Sequence, residues 1–404
     1  MPASPHVLVI GGGIAGLSLS LFLKRAGIAA TLYEAYPQRT DIGSGLQVAP
    51  NGMAVLAELG LAGRVAGAGI ACNGMEFRDQ RGARFAAMPI DGAALPAVTV
   101  KRARLHEILA AAAAREGIPV EYGRRLAAIE EDADGITARF ADGGTARGDL
   151  LVGADGIHSR TRRLILPDAP APAFTGLVGV GGFVPRAALP PPTPAAEATM
   201  TFCFGRPGAF FGQAYVDQAD AEGLMWWSAV ERARPLDGDD RAALTLDLVR
   251  RQLLAAGDGW FGPVRDILAA ATEMARPIDI YDMPSLPRWW RGRAVLVGDA
   301  AHAVTPHSGQ GASLALEDAI ALARQLRGAP AGAGAIAHAF TGFEQERRRR
   351  AERICALGRR AGDSTKRSRG PVTSRLQRLM MPLFLRLMAA RQRCIHGYRV
   401  RWEG

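Results

Sequence analysis

The sequence predicts an α/β fold: a Rossmann-like parallel sheet interrupted by a β-rich insert, with a helical segment at its C-terminal end. Three observations carry this. Residues 6–16, HVLVIGGGIAG, run an apolar strand straight into a glycine loop and a helix. AVLVGDAA, from Ala294, repeats the buried-strand pattern some 280 residues later, and the stretch between them turns aromatic and alternating from about Ala171. Fully apolar short runs suit strands buried on both faces, whereas alternation suits a sheet with one face toward a core.

Taken in order, Val7 to Ile10 is the first strand, Leu17 to Arg25 an amphipathic helix closed by Gly27, and Ala29 to Tyr33 a second strand ending in Glu34. Together they have the size of one βαβ unit. Asn51 to Leu59 and the alanine-rich Arg104 to Arg115 read as helices, Ile136 to Phe140 as a strand, residues 142–144 as an Asp-Gly-Gly turn, and Leu150 to Ala154 as another buried strand. PDAPAPAF and LPPPTP introduce the insert, whose runs TMTFCFG, AFFGQAYVD and GLMWWSAVE are sheet. A long helix follows from about Gly311 to Leu326. GAPAGAGA at 328–335 is a hinge by composition, and the remainder is helical, with Leu376, Leu379, Leu383 and Leu387 on one stripe. The expected division is 1–72, 98–172 and 280–330 for the parallel-sheet domain, 73–97 and 173–279 for the insert, and 331–404 for the helical segment.

With 404 residues, 48% hydrophobic and 22% charged, the chain can bury two cores. The net charge of +10 is confined to one end. From Gln345 onward, 17 Lys or Arg stand against four acids, so this tail carries +13 and the first 344 residues −3. That distribution speaks against nucleic acid as a partner, and the tail reads as a solvated arginine-rich helical face. Cys72, Cys203, Cys355 and Cys394 lie far apart without a CxxC pair, so free thiols are expected and neither zinc nor disulfides. No stretch of about 18 apolar residues offers a membrane span, and a first strand beginning at residue 6 leaves no room for a secretory leader. A cytoplasmic monomer or dimer is the expectation.

Gly11, Gly13 and Gly16 have the GxGxxG spacing. The first permits the tight turn, the second lets a pyrophosphate approach the backbone, and the third packs helix on strand; Ile14 and Ala15 open the helix whose N-terminus faces the phosphates. Glu34, 23 residues after Gly11, can accept hydrogen bonds from a ribose diol and disfavours a 2′-phosphate. These features specify a dinucleotide without choosing between FAD and NAD. Two further segments, DLLVGADGIHSRTRR (149–163) and RAVLVGDAAHAVTPHSGQGASLALEDA (293–319), end buried strands in Asp155 and Asp299, where a carboxylate can reach ligand hydroxyls or cap a helix. GlySerGlyLeu at 43–46, with Gly45, lets backbone pass close to a flat ligand.

The glycine loop, the Asp-Gly segment and the Gly-Asp segment, in this order, resemble the single-component FAD-dependent aromatic hydroxylases of the para-hydroxybenzoate and salicylate hydroxylase kind, from residue 5 to roughly 330. The resemblance implies that fold, with Gly11, Gly13, Gly16 and Glu34 on the ADP half of FAD. Arg102 is implied at the phosphate and ribityl region, although Lys101 and Arg104 are adjacent cations. Leu126 is implied as a backbone contact to adenine, Asp155 and Gly156 as the Asp-Gly pair serving FAD and the passing nicotinamide, and Asp299 on the ribityl chain. Pro306, Gly309, Gln310 and Gly311 match the loop beside the isoalloxazine, where a helix N-terminus stabilises negative charge on the reduced ring. A histidine in this loop, His302 or His307, orders it, no acid–base catalyst is assigned, and Glu317 and Asp318 are expected on the helix surface.

The implied reaction is insertion of one oxygen atom from O₂ into an aromatic or polycyclic small molecule through a flavin C4a-hydroperoxide, with NADH or NADPH as transient reductant. Alternatives are epoxidation, Baeyer–Villiger insertion, or an oxidase or reductase without oxygen transfer. A halogenase is disfavoured, because WWSAV departs from that family's WxWxIP and no lysine falls in a suitable segment. A dry aromatic pocket would protect the reactive species. Phe202, Phe204, Phe210, Phe211, Gln213, Tyr215, Trp226 and Trp227 are its candidate wall, with Phe204, Phe211, Gln213, Trp226 and Pro306 foremost, and alternation predicts that about half of the wall set faces the cavity. The leucine-striped C-terminal segment and its YRVRW ending resemble the closing helix of tetracycline-inactivating members, which implies packing across both domains.

Overall fold

Two large sheets organise the computed structural model, which describes residues 5–37, 44–90, 93–205, 209–217, 222–257, 260–366 and 391–403. The first has six strands, ordered Trp290–Arg291, Ala294–Leu296, Leu150–Gly153, His6–Ile10, Ala29–Glu34, Val120–Tyr122. All neighbours are parallel except the Trp290–Arg291 edge. The strand that returns late in the sequence thus lies one strand away from the first. The central three strands are buried on both faces, as their apolar runs require.

Helix Ile14–Arg25 begins within the glycine loop, three residues earlier than the amphipathic pattern indicates, and packs on helix Gly311–Leu326. After helices Pro50–Glu58 and Ala62–Gly67, a longer helix runs Arg102–Arg115, so Arg102 is its first residue. A three-stranded antiparallel meander, Leu126–Glu131, Ile136–Phe140 and Thr145–Gly148, leads into Leu150–Gly153.

The insert forms a seven-stranded sheet in the order Ile278–Asp282, Ala173–Val184, Leu224–Glu231, Phe210–Tyr215, Thr199–Phe204, Gly74–Asp79, Arg84–Pro89. Strand Ile278–Asp282 straddles the expected boundary at 280. One face of this sheet carries Val178, Val180, Cys203, Phe211, Leu224 and Trp226 against Trp260 and helices Leu246–Gly257 and Gly262–Ala270. The other face carries Met200, Ala214 and Met225 against Cys72 and Ala97, from a separate three-stranded sheet of Gly45–Val48, Ala97–Lys101 and Ile70–Cys72.

A 34-residue helix, Ala333–Lys366, lies against Gly311–Leu326 and the turn at 306–308. Its arginines divide between two environments: Arg349, Arg353 and Arg360 are exposed, as the solvated-face expectation has it, and the others are engaged by protein. Arg347 is fully buried, Arg348 bridges Glu344 and Glu352, and Arg359 pairs with Asp282. The chain end returns to the dinucleotide domain, where Trp402 stacks on Phe22 at 5.7 Å with the guanidinium groups of Arg25 and Arg327 each 5.1 Å from its ring. The leucine stripe 376–387 lies outside the described residues. No helix among the described residues is long and apolar enough to cross a membrane.

Candidate functional site

The three sequence motifs meet. Gly11 has φ +112°, and a Cβ there would overlap the Ala154 carbonyl and lie 3.0 Å from the Asp155 Cα, so the glycine loop is pressed on the Asp-Gly segment. A Cβ on Gly298 would lie 3.2 Å from that of Ala15, which seats the Gly-Asp segment on the glycine-loop helix. Arg162 ties the last two together, donating to the Ile157 carbonyl at 2.6 Å and the Ala300 carbonyl at 2.8 Å. Its place in HSRTRR gave no hint of this.

Within the loop the glycines divide by role. A Cβ on Gly16 would collide with the Gly11 carbonyl, so Gly16 serves the fold. At Gly13 nothing lies within 4 Å of the Cβ position, and the helix it opens has no side-chain cap and no acid in its first turn. Uncapped N–H groups beside open space form an anion cradle. Glu34 borders it: Oε2 accepts the Gly12 N–H at 2.7 Å and Oε1 the Tyr36 N–H at 2.9 Å, which fixes the carboxylate while leaving lone pairs. Arg124 donates its backbone N–H to the Glu34 carbonyl, and Arg160 reaches the Ala127 carbonyl, so Leu126 sits between the glycine loop and the Asp-Gly segment. On the opposite flank His106 bonds the Gly12 carbonyl at 2.8 Å. Sequence reading missed His106, although it stands four residues after Arg102 and so on the same helix face.

Asp155 spends both carboxylate oxygens on the turn it begins, accepting from Ser159 Oγ and from the Thr161 N–H and hydroxyl, each of the latter at 2.9 Å. Its geometry is that of the capping alternative. Gly156 follows with φ +76° and open space at its Cβ position.

Asp299 differs. Its side chain is solvent-accessible, yet protein crowds it enough that burial raises its pKa, opposed by the charges of His302 and Arg102 and reinforced by Asp318. Downstream, Pro306–Ser308 form a 3₁₀ turn, Gly309 takes φ +60°, and buried Gln310 opens helix Gly311–Leu326, again without a side-chain cap.

This loop lies beside strand Gly45–Val48, which in turn borders the insert. The Cβ position of Gly309 lies 3.8 Å from Gln47 Oε1, and Gln47 Nε2 lies 3.3 Å from Cys72 Sγ, at the sheet face bearing Met200, Ala214 and Met225. Gly45 is crowded there by Met225 Sδ at 2.6 Å from its Cβ position, so its missing side chain admits the insert sheet rather than a ligand.

Register decides the aromatic set. Phe202, Phe204, Phe210 and Trp227 share the face turned to the dinucleotide domain, where Phe202 stacks on Phe77 at 5.4 Å and meets Trp227 edge-on at 5.7 Å. Phe211, Gln213, Tyr215 and Trp226 point the other way, into the helix-covered core, with Phe211 and Trp226 stacked at 5.9 Å. Of the foremost candidates, Phe211, Gln213 and Trp226 are therefore corrected to the core, whereas Phe204 lies on the opposite face. Strand sidedness has period 2, so a choice of face misassigns every second residue at once.

The helix-surface expectation for Glu317 and Asp318 also fails, because helix Gly311–Leu326 is buried on every side from Ser313 to Ala323, both acids included. Asp318 Oδ2 accepts from the Gly298 N–H at 2.9 Å and lies 2.6 Å from His302 Nε2. Burial would raise the Asp318 pKa, but His302 and Arg347 overcome it and hold the carboxyl at about 2. For His302, burial opposes the charge while Asp318 favours it, with a net upward shift.

Comparison with known proteins agrees with this geometry. A family described as FAD binding domain matches residues 5–357. A 3-amino-4-hydroxybenzoate 2-monooxygenase of Streptomyces platensis is 33% identical over 95% of this chain and 94% of its own, and an FAD-dependent urate hydroxylase of Klebsiella pneumoniae is 33% identical over 89% and 90%. The crystal structure of Klebsiella pneumoniae HpxO with FAD and uric acid superposes with a TM-score of 0.78 at 29% identity, covering 97% of this chain and 95% of that one. This chain belongs to the FAD-binding-domain family and is an FAD-dependent monooxygenase.

Proposed function

We propose that this protein holds FAD between the glycine loop, the 155–161 turn and loop 298–311, takes electrons from NADH or NADPH, and inserts one oxygen atom of O₂ into a small aromatic molecule lying against the Met225–Trp227 face of the insert. The observation that carries the reading is the packing of Gly11 on Ala154–Asp155 and of Gly298 on Ala15, which unites segments from three distant stretches of chain at one open cradle. When bound, FAD supplies the electron transfer and the activation of oxygen.

The residues supply the rest. The N–H groups of Gly13, Ile14 and Ala15 and the helix dipole would face the pyrophosphate, while Gly11, whose N–H is donated to the Tyr33 carbonyl at 2.8 Å, and Gly16 shape the turn. Glu34, preset by two backbone donors, receives the ribose hydroxyls, and the Leu126 backbone borders the adenine. Arg102 neutralises phosphate charge, and Asp299 accepts from the ribityl chain. Asp155 and Gly156 shape the turn that closes this side, since the Asp155 carboxylate is already engaged. Pro306, Gly309, Gln310 and Gly311 set the uncapped helix start beside the ring system, where its N–H groups favour negative charge. Met225, Trp227 and Phe202 exclude water and offer flat apolar contact to an aromatic substrate.

The test is NAD(P)H oxidation by the purified protein against a panel of phenols, hydroxybenzoates, salicylates and polycyclic polyketides, with product mass read for the gain of one oxygen. Protein that purifies colourless and refuses FAD would overturn the reading; peroxide formation with no oxygenated product from any aromatic substrate would overturn the oxygen-transfer step.

A further inference from the structure

A largely buried cluster of charges stands behind loop 298–311. At its centre is Arg347 of the long helix, which donates Nε to Asp318 Oδ1 at 2.9 Å and Nη2 to Glu317 Oε2 at 2.6 Å. Each carboxylate passes the contact on. Asp318 binds the Gly298 N–H and His302, at the start of the loop. Glu317 Oε1 accepts Asn51 Nδ2 at 2.7 Å, and the same amide donates to Gln310 Oε1 at 3.0 Å, at the end of the loop. One guanidinium therefore governs both ends of the segment through two adjacent acids. Arg350 closes the group with two 2.8 Å bonds to Glu317, and its guanidinium lies 4.0 Å from the Tyr398 ring, so the chain end joins in.

Well-packed apolar residues would fill such a volume without the desolvation that buried charges carry, so a network of this kind is more naturally a device for geometry than for stability. We propose that Arg347 is a positioning residue for the cofactor loop: through Asp318 and Glu317 it sets where Asp299 and the Gly311 helix start lie, and through them the binding and reduction potential of the flavin. This rests on the FAD reading above and assigns the long C-terminal helix a role in the chemistry without contact to it.

The experiment uses the purified full chain as wild type, Arg347→Met, Arg347→Lys, Asp318→Asn and a control, Arg241→Met, which removes an ion pair with Asp279 in the insert. FAD dissociation constant, visible flavin spectrum, midpoint potential and melting temperature are measured for each. Expected are a tenfold or larger weakening of FAD binding in Arg347→Met, a shifted spectrum and potential there and in Asp318→Asn, partial rescue by Arg347→Lys, and a control that changes melting temperature alone. Asp318→Asn keeps the shape of the side chain and reads the same branch should Arg347→Met not fold. A yellow wild type with Asp318→Asn unchanged in affinity, spectrum and potential overturns the inference while leaving the FAD reading intact; a wild type that refuses FAD overturns both.

Discussion

Two glycines in one loop should fail in different ways when given a methyl group. At Gly13 the backbone is extended, φ −77° and ψ −171°, which alanine adopts freely, and nothing lies within 4 Å of its Cβ position. Alanine is a poorer N-cap than glycine but loses less entropy on folding, so Gly13→Ala should leave the stability of the FAD-free protein within about 1 kcal/mol. Bound FAD changes the account, because a methyl forced into a packed contact costs roughly 1–3 kcal/mol, or about 5- to 150-fold in dissociation constant. At an FAD concentration 100 times the wild-type dissociation constant, ligand adds about 2.7 kcal/mol of stability, and a hundredfold loss of affinity would shrink that to about 0.4 kcal/mol. At Gly16 the new Cβ would collide with the Gly11 carbonyl oxygen and crowd Val9 at 3.3 Å, so the loop must shift by about 1 Å and the FAD-free protein itself loses roughly 1–3 kcal/mol or more. Urea unfolding with and without FAD, beside a flavin fluorescence titration, separates the two. Wild-type FAD affinity in Gly13→Ala would refute the close approach of phosphate at this residue, and a strongly destabilised FAD-free Gly13→Ala would refute its role as open cradle.

The two faces of the insert sheet should separate as cleanly. Trp226→Ala, in the helix-covered core, should cost about 3–5 kcal/mol in urea unfolding with KM little changed, whereas Trp227→Ala should raise KM and divert reducing equivalents to peroxide, read as NAD(P)H consumed per product. The Asp318–His302 pair predicts a pH signature. The Asp318 carboxyl is depressed to about 2 from 3.8, so its contribution is present above 3.8 and lost as pH falls toward 2; the His302 pKa is raised from 6.5, so its contribution is present below 6.5 and lost as pH rises through the shifted value. The stability advantage of wild type over Asp318→Asn should therefore plateau between those ordinary values and decline on both sides, measured by denaturant titration across pH. Trp402→Ala should loosen the chain end from Phe22, Arg25 and Arg327, costing up to about 3 kcal/mol and exposing residues 391–403 to limited proteolysis.

The parallel sheet, the glycine loop and the β-rich insert were readable because their signals are local. Four apolar residues before GGGIAG, a glycine spacing set by covalent geometry, and alternation along single strands each reside within about ten residues of chain. The Gly11, Gly13 and Gly16 division and the position of Glu34 follow from that short range. What escaped depends on neighbours brought together across hundreds of residues. Whether Trp226 or Trp227 faces the cofactor domain follows from the pairing of Leu224–Glu231 with two other strands and from which face the helices cover. Asp155 presents the same strand-end carboxylate as Asp299 in the sequence, but Ser159 and Thr161 capture one, while protein around the other raises its pKa by burial. Glu317 and Asp318 had a usable signal, two acids inside an apolar helix, yet their partners Arg347, His302 and Asn51 lie on three other segments. Local sequence thus specifies which elements form and which ligand class they suit. Side-chain function depends on sidedness and on the pairing of buried charge, both of which are settled when distant segments pack, because a charge or a ring takes its role from what surrounds it.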